Sequence, residues 1–164
     1  MKNTYSDIKF TSGLYNAGIC RIYIAPREWL LYPLQINFSS GIVEHEIFLS
    51  DNKKMISLDL VPDSYIFEEK PKESRAGQFF QVMVQGNIND ITPELLTSLN
   101  TIRNHEVIAI LHDKRGRKKI VGDETSALLF RFGNKEDNTK QGGIQVCSID
   151  MTMDSENTAP FYNF

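Results

Sequence analysis

The stretch ITPELLTSLNTIRNHEVIAILHDKRGRKKIVGDETSALLFRF, Ile91 to Phe132, carries start signals, stop signals and periodicity that agree with one another, and the rest of the chain is laid around it. Thr92 is placed to cap a helix with its side-chain oxygen, and Pro93 takes the first helical position, where its missing N–H costs nothing. Glu94 sits at the positive end of the helix dipole. Leu95, Leu96, Leu99 and Ile102 recur at helical spacing as one apolar stripe, while Thr97, Ser98, Asn100 and Arg103 face outward. Asn104 is a left-handed stop. The spacing predicts a helix over about residues 93–103, packed on a sheet or capping a barrel.

Val107 to Leu111 is apolar at every position, the pattern of a strand buried on both faces, one of them under the helix. Asp113-Lys114-Arg115-Gly116 suits a type I turn with glycine in the left-handed position, and Lys118 to Gly122 returns antiparallel. Lys114, Arg115, Arg117, Lys118 and Lys119 crowd this tip. Such a cluster reads either as a phosphate-contacting finger or as a solvated hairpin whose charges prevent mispairing of its edge. No aromatic residue is interleaved with the charges, as single-strand binders require, and this favours the solvated hairpin.

At 164 residues the chain is expected to form a single domain, large enough to bury roughly 70% of its unfolded surface. A formal net charge of −3 gives the chain as a whole no electrostatic case for a nucleic-acid or membrane partner. Cys20 and Cys147 lack ligand spacing and read as small buried hydrophobes. Neither a signal peptide nor an apolar run of the ~20 residues a membrane span needs is present, so the chain is expected to stay in the cytoplasm that makes it.

Residues 1–16 are polar with isolated apolar residues and read as an arm that is disordered or lies on another surface. Strands are expected at Ile19 to Ile24, Leu34 to Phe38, Ile42 to Ser50 and Ile56 to Leu60, with Trp29 in a connection. In the third of these, Glu44 and Glu46 share the face opposite Val43, Ile47 and Leu49, and His45 interrupts the apolar row as a hydrogen-bonded histidine in or near the core. Tyr65 to Glu69 and Gln78 to Gly86 flank a charged loop, Lys70 to Ala76, which has too little apolar content to order itself and is a flexible tip or a segment ordered by a partner. Phe80, Val82 and Val84 share one face of the second strand. Phe79 and Met83 share the other with Gln81 and Gln85, a mixed surface suited to a partner protein. After the hairpin, Ala127 to Phe132 is a strand, Gly133 to Gly143 a polar loop, and Ile144 to Met153 a strand with Cys147, Ile149, Met151 and Met153 inward. Residues 154–164 form an aromatic tail whose Phe161, Tyr162 and Phe164 dock on this domain or on a neighbour.

The tally is about ten short strands with one helix inserted late, a mainly β fold of sandwich or barrel type. The templates of hydrolases, nucleotide-binding loops and zinc sites are absent, so the chain is expected not to be an enzyme and to need no metal or cofactor. The alternatives are a monomeric β-barrel module that binds a ligand or peptide and, more distantly, a hydrolase built around His45 or His105. No role is assigned to His112.

From Gly77 to Gly133 the order of elements resembles a family of small tail proteins of bacteriophages and prophages. The features that carry the likeness are the strand Gln78 to Gln85, the Leu-rich helix Pro93 to Arg103, the apolar strand Val107 to Leu111, the turn Asp113 to Gly116, Ile120-Val121-Gly122, and the strand Leu128 to Phe132. The strand Gly18 to Tyr23 and the Glu68-Glu69 pair before the charged loop also fit. The basic hairpin tip and the aromatic C-terminus depart from the pattern. The resemblance implies a tail-tube or tail-tip subunit of the virion, assembled in the host cytoplasm into a ring, typically sixfold, that contacts other tail proteins and lets DNA pass without specific binding. Glu68, Glu69, Lys70, Lys72, Arg75, Phe79, Phe161 and Tyr162 are then the candidate subunit-interface residues. Glu44 and Glu46 are the candidates for a lumen wall that does not grip phosphates, with the basic tip pointing away from it.

Overall fold

The computed structural model describes residues 18–37, 39–75, 77–88, 91–137 and 144–164. In chain order the elements are β1 (Ile19–Pro26), a 3-10 turn (Arg27–Trp29), β2 (Ile36–Asn37), β3 (Ile42–Val43), β4 (Ile56–Asp59), β5 (Ile66–Ser74), β6 (Gly77–Ile88), α1 (Pro93–Ile102), β7 (Glu106–Asp113), β8 (Lys118–Val121), β9 (Leu128–Asp137) and β10 (Ile144–Ser155). The antiparallel sheet runs β4-β1-β7-β9-β10-β6-β5, with β8 on the same edge of β7 as β9. Leu60, just past β4, bridges to Ile88 at the end of β6, and the Val61 amide donates to the Asn87 carbonyl at 2.8 Å. The path therefore closes around one core, a mainly β fold of sandwich or barrel type with one helix. Gly86 permits the closure, since a Cβ there would lie 3.1 Å from a Leu60 methyl.

The helix forms where its signals stand. Thr92 Oγ1 accepts the Leu95 amide at 3.2 Å, and Asn104 has φ 62° just beyond the last turn. Asn104 then donates to the Phe130 carbonyl and the Phe130 amide to His105, which ties the helix exit to β9. Leu99 and Ile102 are fully buried with Ile22, Leu58, Val84, Val107, Ala109, Phe130 and Met151, and Leu95 packs against them. Leu96 is only half-buried and lies outside this cluster.

All five residues from Val107 to Leu111 are buried. Val107, Ala109 and Leu111 face the main core shared with the helix, whereas Ile110 belongs to a second cluster with Leu34, Val43, Ile120 and Tyr162. The outer face of β7 and β8 is thus covered by the Arg27–Ser50 connection and by the C-terminal tail.

Four expected boundaries are corrected. Lys70 to Ser74 is not a loop but the second half of β5, paired in register with Gly77 to Gln81. Pro71 is tolerated there because β5 pairs with β6 alone among the described residues, so its missing N–H falls on an edge. Gly133 to Asp137 likewise continues β9, paired in register with Ile144 to Ser148. Conversely, the strand expected over Ile42 to Ser50 stops at Val43. His45 takes the chain out of the ladder: its Nδ1 lies 2.7 Å from the Glu46 carbonyl, and its Nε2 lies 3.2 Å from both the Pro33 carbonyl and the Gln35 amide. The strand expected over Leu34 to Phe38 shortens to Ile36–Asn37, and Phe38 lies outside the described residues, as does the arm over residues 1–16.

Candidate assembly surface

The candidate interface residues on β5 and β6 form a ribbon. β6 pairs with β10 only from Phe80, opposite Ser155, to Ile88, opposite Cys147, so the hairpin tip runs past the end of β10 for roughly 13 Å. Every side chain described from Lys70 to Arg75 is exposed. Polar pairs hold this arm in place of burial: Lys70 Nζ lies 2.7 Å from Glu68 Oε2 on the same strand face, and Gln78 Nε2 donates to Glu73 Oε1 directly across the ladder at 3.0 Å. At the opposite end of the sheet β9 and β10 continue beyond the last residue of β6. The molecule carries two ribbons pointing to opposite ends, one bearing Lys72, Arg75 and the half-buried Phe79.

The remaining interface candidates divide. Glu69 is turned onto its own domain, where Oε1 accepts the Ala159 amide and Oε2 lies 3.5 Å from Lys119 Nζ. Tyr162 is buried in the second cluster, and its hydroxyl accepts the Ile47 amide at 3.1 Å. Burial raises the Tyr162 pKa, the Ile47 amide opposes the shift, and the charge of Glu46 adds to it. Around Tyr162 the tail is paired on both sides. Phe161 bridges to Ile42 and Lys119, the Ile120 amide donates to Pro160, and the Tyr162 amide donates to Lys118. Of the two docking modes open to the tail, this is docking on its own domain, and it leaves Phe161 and Phe164 exposed.

The Arg27–Ser50 connection presents a patch that the sequence reading missed. The Leu31 amide donates to Phe48 and the Ser50 amide to Trp29, closing a loop with Leu31, Tyr32 and Phe48 about half exposed on it. Tyr32 meets Phe48 edge-on at 6.1 Å, and His45 stacks on the same ring at 6.4 Å. The signal available was Trp29-Leu30-Leu31-Tyr32, four large apolar residues in a connection with no strand to bury them.

Glu44 and Glu46 are exposed but belong to no strand, and Glu44 accepts from Asn37. The charge of Glu46 acts on Tyr162, whose ring centroid is 5.9 Å from Lys118 Nζ. At the turn, Asp113 accepts the Arg115 and Arg117 amides at 2.8 and 2.9 Å and Arg117 Nε at 2.8 Å, while Gly116 takes φ 80°. His105 is exposed, with Nδ1 3.9 Å from Glu28, and His112 is half-buried. Cys147 is buried and Cys20 contacts the His112 carbonyl at 3.5 Å.

Among the described residues no three His, Cys, Asp or Glu side chains gather as a metal site, and no helix is long and apolar enough to cross a membrane. No family model, no curated protein and no solved structure matches this chain.

Proposed function

We propose that this protein is a non-enzymatic structural subunit of a bacteriophage or prophage tail, of the tail tube or tail tip, which joins copies of itself into a ring through which DNA passes without specific binding. The ring is sixfold in the family that the sequence resembles. The observation that carries the reading is the pair of ribbons reaching past opposite ends of one closed sheet, the β5–β6 arm and the β9–β10 extension. An arm of exposed, cross-paired polar residues contributes nothing to its own core, and it gains its reason from a neighbour. A head-to-tail contact also covers the outer edge of β5, which would otherwise template wrong pairing. The partners are further copies and adjoining tail proteins, and the place of action is the virion.

The test shortens the arm in register. Replacing residues 72–79 by Asn-Gly keeps Pro71 opposite Phe80 across a two-residue turn. The expected result is a folded monomer that no longer forms rings or tubes in negative-stain images and elutes at monomer size. Normal rings from the shortened chain would remove the proposal. A second reading, a monomeric β-barrel binding module, is favoured by a cavity of about 240 Å³ lined by Ile19, Tyr65, Phe67, Leu111 and Phe161 together with Asp113, Arg117 and Lys119; it requires the intact protein to stay monomeric at every concentration.

A further inference from the structure

Along the sequence the cations of the β7–β8 hairpin stand without aromatic residues, but the fold supplies them. The tail lays Phe161, Tyr162 and Phe164 against the hairpin. Lys119 Nζ lies 5.4 Å from the Phe161 ring centroid and Lys118 Nζ 5.9 Å from that of Tyr162, and Lys118 donates to the Phe164 carbonyl. A groove of about 480 Å³ lies here, its lining including Arg117, Lys118, Phe161, Tyr162 and Phe164. Both phenylalanines remain exposed, at 43% and 48%, although they are the most apolar residues of the tail.

The charge balance is local. Residues 113–119 hold five cations against one carboxylate, so of the chain's formal −3 the remainder carries −7. Within the strip, Asp113 engages Arg117 at Nε and Glu69 engages Lys119. The Asp113 bond uses one of the five guanidinium donors and fixes the fork at the groove, and Lys118 gives the Phe164 carbonyl one of its three. One side of Phe161 carries the Lys119 ammonium and Phe164 leans on Tyr162 at 5.6 Å, which leaves each phenylalanine about half exposed. Fixed cations beside half-exposed aromatic rings are the two halves of single-strand recognition: rings stack unpaired bases, and guanidinium and ammonium groups take phosphate. A duplex offers no open base face to these rings, so this chemistry is compatible with a conduit that lets duplex DNA slide.

We propose that the groove between Arg117–Lys118 and Phe161/Phe164 binds an unpaired nucleotide, its base on a phenylalanine ring and its phosphate on the two cations. A free nucleotide and a nucleotide of a single strand present the same chemistry. The test is fluorescence anisotropy of a labelled oligothymidylate with the full-length protein at low salt, with thymidine monophosphate as competitor and a duplex for comparison. The expected result is saturable binding, weakened about tenfold by Phe164→Ala, whose half-exposed ring leans on Tyr162, and similarly by Phe161→Ala. Arg117→Gln should lower the slope of log affinity against log salt by about one. Competition by the monophosphate assigns the site to nucleotides in general, and its failure assigns it to single strands; both support the proposal. No binding at low salt, equal binding of the duplex without loss in Phe164→Ala, or displacement by an acidic peptide that is indifferent to Phe164→Ala would each overturn it. Ring formation is scored separately by microscopy, so the fate of the assembly reading is independent of these outcomes.

Discussion

Glu69 Oε1 accepts a hydrogen bond from the Ala159 amide at 2.5 Å, ninety residues on in the chain. The same carboxylate meets Lys119, whose ammonium lies over the rings of Phe67 and Phe161. One side chain therefore fastens the base of the β5–β6 arm, the C-terminal tail and β8.

Removing that fastening should cost stability in the isolated protein. Glu69→Ala leaves the Ala159 amide and Lys119 without their charged partner, with an expected loss of about 1.5–3 kcal/mol, while Glu69→Gln, which keeps an acceptor, should lose less. Denaturant titration of the monomer decides this. A loss confined to ring formation, with the monomer unchanged, would mean that Glu69 acts between subunits after all.

Asp113 gives a prediction for acid. Burial raises its pKa, but hydrogen bonds from the Arg117 amide and side chain and from the Arg115 amide outweigh this and hold it below the usual carboxylate range. A depressed folded pKa contributes stability that is present above the unfolded value of about 3.9 and is lost as pH falls through the folded value. Asp113→Asn should be less stable than wild type by about 1–3 kcal/mol near neutrality, and the gap should narrow below about pH 4. A gap that is constant from neutral to acid would show that the carboxylate charge is not what the turn uses.

Tyr162 gives the opposite sign. Its raised folded pKa contributes stability that is complete below the unfolded value of about 10 and is lost as pH rises through the folded value. Tyr162→Phe also removes the acceptor of the Ile47 amide, so it should cost about 1 kcal/mol near neutrality. Above about pH 10 the wild type should lose this advantage while the variant does not. Thermal melts of the two proteins across that range check the sign, and parallel curves would place the hydroxyl outside the folded cluster.

What was legible in the sequence was whatever follows from periodicity and caps. The cap at Thr92, the stop at Asn104, the apolar run in β7 and the alternation in β4, β6 and β10 each depend on neighbours a few residues away. The Lys70–Ser74 and Gly133–Asp137 halves of the two ribbons were not legible because they are held by register. Glu73 facing Gln78 and Asn134 facing Cys147 are ladder relations with no apolar pattern to announce them. The opposite error came at Glu44 to Ser50, where a short alternation is overruled by the hydrogen bonds of His45. At the surface, Lys72, Arg75 and Phe79 stand on the β5–β6 arm, whereas Glu69 and Tyr162 are held against their own domain by residues far away in sequence. The meeting of Lys118 with Tyr162 and Phe164 had no local signal, because it needs the tail to return beside β8.

The helix stripe separates into two kinds of leucine, and this yields the last prediction. Leu99 is fully buried among residues of the main core, so truncation removes its packing and leaves a cavity that neighbours on strands cannot close. Leu96 is half-buried and outside that cluster, so the same truncation removes less contact and leaves an opening that water fills. Alanine has the higher helix propensity, which offsets part of the loss at both positions equally. Leu99→Ala should therefore destabilise by about 2–5 kcal/mol, and Leu96→Ala by about 1 kcal/mol or less. Denaturant midpoints of the two variants at equal slope give the comparison. Equal losses would put Leu96 in the core, and a reversed order would mean that the helix is rotated about its axis from the position in which Leu99 and Ile102 face the sheet.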